Sequence, residues 1–160
     1  MEKKVLIVGK LSSGIRSLAE SYRHQGWSAE VSSSGLVSVE RVQKWIPDLV
    51  CVDHEIAEGG ALMVARNISG APLPKRVPLI FIASESFYEK IRHEMEVWGK
   101  YFHVFLKDTA DPASVVALSE AILENKDLSP YGGLFFSFSE KREKTGEMAE
   151  EESQPQQKRI

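Results

Sequence analysis

The sequence predicts a three-layer α/β domain, with helices covering both faces of a parallel sheet. Three observations carry that expectation. Short apolar runs of strand length alternate five times with segments of helical period. The runs Val5-Leu6-Ile7-Val8 and Leu49-Val50-Cys51-Val52 are apolar at every position, as strands buried on both faces must be. Turn residues bound the second of these, Pro47 and Asp48 before it and Gly59 and Gly60 after it.

Taken in order, Val5 to Val8 is the first strand and stops at Gly9-Lys10. Ser12 or Ser13 can cap a first helix carrying Ile15, Leu18, Ala19 and Tyr22 at helical spacing, and Gly26 ends it. Trp27 to Val31 is a weaker second strand, and Ser32 to Gly35 a turn. Leu36, Val39, Val42 and Ile46 mark the buried side of a second helix that stops before Pro47. Leu49 to Asp53 is the third strand, and a polar loop leads to a third helix with Leu62, Ala65 and Ile68 on one face. Val77 to Ser84 is the fourth strand, with Pro78 tolerated near its start. Phe87, Ile91, Met95 and Trp98 stripe a fourth helix that ends near Gly99; such a stripe usually faces a core. Phe102 to Leu106 is the fifth strand. Asp111-Pro112 then starts a fifth helix, the acid at the cap and proline in the first turn, with Val115, Leu118 and Ile122 inward.

Residues 1–126 thus read as one domain, and 127–160 as a C-terminal extension. The extension holds an aromatic patch at 134–138, in which Phe135, Phe136 and Phe138 either fold back or meet a partner. From Ser139 on the composition is acidic, polar and aromatic-free, as in a disordered tail.

Composition limits the function. With 160 residues, 42% hydrophobic and 27% charged, the chain can bury one sizeable core. A net charge of −3 disfavours an obligate nucleic-acid binder, although it leaves room for a local basic patch. The single cysteine, Cys51, lies in an apolar run and reads as a buried, inert thiol in a reducing compartment. No run has the length of a membrane span and the N-terminus does not read as a signal peptide, so a cytoplasmic location is expected.

The strongest functional signal is a convergence of strand ends. Asp53, Ser84 and Lys107 follow the third, fourth and fifth strands, and in a parallel sheet those ends share one crevice. A carboxylate flanked by a hydroxyl and an ammonium suits a phosphoryl-accepting aspartate, because both neighbours can bind phosphate oxygens.

Here the chain resembles the response-regulator receiver family of two-component signalling, over about residues 3–126. The resemblance rests on Val5-Leu6-Ile7-Val8, the run from Pro47 to Asp53, the run from Val77 to Ser84, and Phe105-Leu106-Lys107. It implies a flavodoxin-like, doubly wound five-stranded sheet of order 2-1-3-4-5. It also implies that Asp53 stands at the phosphoacceptor position facing a histidine kinase, with Ser84 rearranging toward the phosphate and Lys107 contacting it.

The departures from that family carry equal weight. Receivers place an acidic pair after the first strand to hold Mg2+; here the pair is Gly9 and Lys10. Only Asp53 and Glu55 remain as weak metal ligands. A lysine about 4 Å from a divalent ion would oppose it by roughly 8 kcal/mol at an effective dielectric near 20. Lys10 is therefore expected to replace the metal in a fixed cluster with Asp53 and Lys107, and no cofactor is expected. Asp108 stands where the family commonly has proline after the lysine, and Val104 where many members carry an aromatic switch residue.

The resulting expectation is a pseudo-receiver that acts by protein–protein interaction and is not an enzyme. The first alternative is a single-domain regulator phosphorylated on Asp53. The second is a small flavodoxin-like enzyme or ligand-binding domain. Gly9-Lys10-Leu11-Ser12-Ser13-Gly14 has the wrong order for a phosphate loop, because there the glycines precede the Lys-Ser/Thr pair.

Overall fold

A computed structural model of the chain describes residues 2–56 and 60–136. Gly59, Phe138 and the tail from Ser139 on lie outside them. The five strands are β1 (Lys4–Val8), β2 (Ser28–Ser32), β3 (Leu49–Asp53), β4 (Leu79–Ala83) and β5 (Val104–Lys107). They form one parallel sheet of order β2-β1-β3-β4-β5, the flavodoxin-like order expected from the sequence. The helices are α1 (Ser13–His24), α2 (Gly35–Trp45), α3 (Gly60–Ser69), α4 (Glu85–Ile91), α5 (Met95–Trp98) and α6 (Pro112–Leu123).

Strand alternation sorts the core into two halves. Val5, Ile7, Leu49, Cys51, Ile80, Ile82, Val104 and Leu106 face one layer, with Ile15, Leu18 and Tyr22 of α1 and Val115, Leu118 and Ile122 of α6. Leu6, Val8, Val50, Val52, Leu79, Phe81 and Phe105 face the other, with Val42, Val64, Ile68, Ile91 and Trp98. Phe81 anchors that second half, its ring 4.9 Å from Phe102 and 5.1 Å from Trp98. One buried polar chain crosses the first half. The Tyr22 hydroxyl lies 2.6 Å from Ser119 Oγ and 3.4 Å from Cys51 Sγ, and Ser119 Oγ donates to the Val115 carbonyl. Burial pushes the Cys51 thiol up to about 12, which leaves it protonated and unreactive at neutral pH.

Side-chain caps fix where the helices start. Ser12, Ser34, Ser84 and Asp111 accept hydrogen bonds from Ile15, Val37, Phe87 and Ser114 N–H groups. Gly26 follows α1 at φ +89°, a conformation that glycine adopts freely and residues with a Cβ rarely do.

Four local expectations are corrected. β4 begins at Leu79 rather than Val77, because the Pro78 carbonyl accepts from Val50 N–H while its ring nitrogen has no hydrogen to donate. β5 begins at Val104, since Phe102 N–H is drawn back to the Trp98 carbonyl at the preceding helix end. The expected single fourth helix is interrupted by a 3-10 turn at Arg92–Glu94, although Ile91, Met95 and Trp98 still face inward. α2 keeps Val42 inward as expected but departs at its first turn. Leu36 is 66% exposed, whereas Ser38 is fully buried and bonded to Ser32 and Ser34.

The body of the domain runs past residue 126. A 3-10 segment at Ser129–Leu134 leads to Phe135, which forms an antiparallel bridge with Leu106, and Phe136 N–H donates to the Phe105 carbonyl. Phe135 is 1% exposed, and Phe136 stacks flat on Tyr88 with ring centres 4.1 Å apart.

Candidate functional site

Register carries three polar residues to one edge. Asp53 closes β3 opposite Ile82, Lys107 closes β5 opposite Ala83, and Ser84 follows directly as the cap of α4. The odd-numbered residues of β3 face α1 and α6, so Asp53 opens onto that side. There a cleft of about 380 Å³ is lined by Ser12, Ile15, Asp53, Glu55, Lys107 and Pro112, among others.

The surroundings of Asp53 differ from those of a metal-bound acid. Its Oδ2 accepts from Glu55 N–H at 3.0 Å, and its Oδ1 lies 4.0 Å from His54 Nδ1. Burial, the dominant influence, raises the carboxyl above its ordinary value. The Glu55 N–H and the His54 charge lower it, while the charges of Glu55 and Asp108 raise it again. Among the described residues no ion pair within 4.0 Å joins Lys10 or Lys107 to Asp53. The Lys10 side chain is exposed while its N–H donates to the Glu55 carbonyl, so the loop is tied down by backbone and not by the ammonium. Among the described residues, the basic side chain that comes within 4.0 Å of the Asp53 carboxylate is the His54 imidazole.

His54 is not among the site residues expected from the sequence. Even-numbered residues of β3 face the second layer, and His54, next after its end, packs its ring 5.0 Å from Phe87 while its backbone N–H donates to the Ile82 carbonyl. The available signal was its place beside the acid.

Ser84 is also committed. Its Oγ accepts from Phe87 N–H at 3.1 Å and lies 3.2 Å from Ser86 Oγ, so any movement toward Asp53 breaks a helix cap. Gly9 is the tightest element. A Cβ at position 9 would stand 2.8 Å from the Asp53 Cβ, closer than real side chains pack. The donor set therefore does not fit a divalent cation: the place next to Asp53 excludes a side chain, and the following residue is a lysine. Among the described residues no three His, Cys, Asp or Glu side chains converge as a metal site. Phe135 and Phe136, the candidate partner residues, are buried against the domain, and Phe138 lies outside the described residues.

This is the architecture of a receiver domain, and solved structures of that class match it. A CheY-like response-regulator receiver domain from Methylobacillus flagellatus aligns with a TM-score of 0.66 at 16% identity, covering 76% of this chain and 99% of that one. A putative response regulator from Chloroflexus aurantiacus gives 0.67 at 18% identity, over 78% and 99%. The N-terminal domain of a response regulator/sensory box/GGDEF protein from Carboxydothermus hydrogenoformans gives 0.61 at 24%, over 77% and 95%. No family model and no curated protein matches the sequence. The likeness is one of fold: this chain has a CheY-like receiver fold. No helix of the described residues is long and apolar enough to cross a membrane.

Proposed function

We propose that this chain is an atypical receiver-like domain that works by contact with another signalling protein, without Mg2+-dependent phosphorylation of Asp53. The close approach of Gly9 to Asp53 carries the reading, because it removes the position from which a second carboxylate would hold the metal. The test is intact-protein mass spectrometry after treatment with acetyl phosphate and Mg2+, with beryllofluoride titration alongside. The expected result is an unmodified protein and no saturable beryllofluoride effect. Stoichiometric modification lost in Asp53→Asn would refute the proposal.

That outcome would establish the competing reading, a phosphate-accepting single-domain regulator facing a histidine kinase. Its support is the placement of Ser84 and Lys107 at the strand ends beside Asp53.

A further inference from the structure

The opposite end of the sheet carries a second cleft, about 530 Å³ in volume, between the loop before β4 and the loop before β5. About 13 Å of strand, four rises of roughly 3.3 Å, separates it from the carboxyl ends where Asp53 lies. Its floor includes Leu79 and Phe102, and its walls bring together Lys75, Arg76, Lys100 and His103. No carboxylate of the described residues lines it. Lys75 is neutralised by an ion pair with Asp48. Arg76 and Lys100 are exposed, and among the described residues their guanidinium and ammonium groups have no hydrogen-bond or ion-pair partner.

In a chain of net charge −3, this is a local reversal of sign built from two separate loops. Two uncompensated cations, one from each loop lining a single concavity, focus a positive potential into it. A guanidinium binds phosphate oxygens in a fork, and an ammonium acts as a point charge, so together they suit an anion with charges at two places. Tyr101, half-buried in the same wall, offers an aromatic face. The volume falls within the range of small-molecule sites.

We infer that this cleft binds a small polyphosphate, a nucleoside di- or triphosphate or inorganic polyphosphate, gripped by Arg76 and Lys100. The site is independent of phosphorylation at Asp53.

Isothermal titration of the full chain with ATP and with inorganic triphosphate, in 0.15 M salt, tests it. The expected result is one-to-one binding that the double variant Arg76→Gln/Lys100→Gln weakens at least tenfold. A charge-matched control, Arg16→Gln/Lys90→Gln, should change affinity less than twofold. Near-UV circular dichroism of both variants should match the parent, as these side chains are exposed. If ATP binds at least tenfold tighter than triphosphate, Tyr101→Ala should abolish the difference, and the ligand is a nucleotide. Equal affinities mean that the phosphates alone are recognised. Absence of saturable binding by either probe at 1 mM on the scale of weak specific sites, or equal losses in the two double variants, would overturn the inference.

Discussion

Replacing Gly9 by alanine discriminates sharply, because two effects of opposite sign compete at that position. Where alanine fits, Gly→Ala stabilises by about 0.4–1 kcal/mol through the entropy of the unfolded chain, and Gly9 is not among the residues at positive φ. The structure reverses this sign. The new methyl would stand 2.8 Å from the Asp53 Cβ and 3.5 Å from Ile15 Cδ1. The second contact is ordinary. The first falls on an atom fixed to a central strand, which cannot swing aside as a side-chain tip would. Forced contacts of this kind cost about 1–3 kcal/mol. Gly9→Ala should therefore destabilise by that amount in urea, with an unchanged slope, and lower the melting temperature by several degrees. The combination with Asp53→Gly, which removes the opposing Cβ, should recover at least half of the loss as a coupling term. A higher urea midpoint for Gly9→Ala, or additive behaviour in the cycle, would refute the account of why glycine stands beside Asp53.

The remaining predictions concern single side chains. Since burial raises the folded-state Asp53 carboxyl above its unfolded value, the folded state holds more protons and stability falls as pH rises from the ordinary carboxylate range through the raised one. Asp53→Asn should thus be more stable than the parent at pH 7 by urea melts, and the difference should vanish below the unfolded-state value. Phe135→Ala should cost about 3–5 kcal/mol, the range for a fully buried phenylalanine; a loss below 1 kcal/mol would mean that the C-terminal segment is not packed as described. Ser84→Ala should cost about 1 kcal/mol through loss of the α4 cap, measured by the same melts.

The parallel sheet was legible because a strand buried on both faces must be apolar throughout, and β1 and β3 are. The convergence of Asp53, Ser84 and Lys107 followed, since a strand's end fixes its edge whatever lies around it. What surrounds Asp53 was less legible. Formal charge placed Lys10 against the acid, but a long side chain gains little by surrendering its hydration, and it stays exposed. On α2 the apolar pattern misled only at its start, where Leu36 is exposed while Ser38 is buried with its hydroxyl satisfied by Ser32 and Ser34. The 127–136 segment has no period at all, so its aromatic residues could be recognised as sticky but not placed.

That segment bears on where the molecule can safely be cut. With Phe135 bridged to Leu106 and Phe136 donating to Phe105, the outer margin of β5 is occupied by the chain itself. A fragment stopped at Lys126, the boundary that composition suggests, would leave that margin as a bare row of amide and carbonyl groups beside an uncovered Tyr88 ring. Such a surface recruits other strands. Nine or ten residues that look like an appendage thus act as a hem, and trimming them would convert a self-contained body into one prone to stick to its own copies.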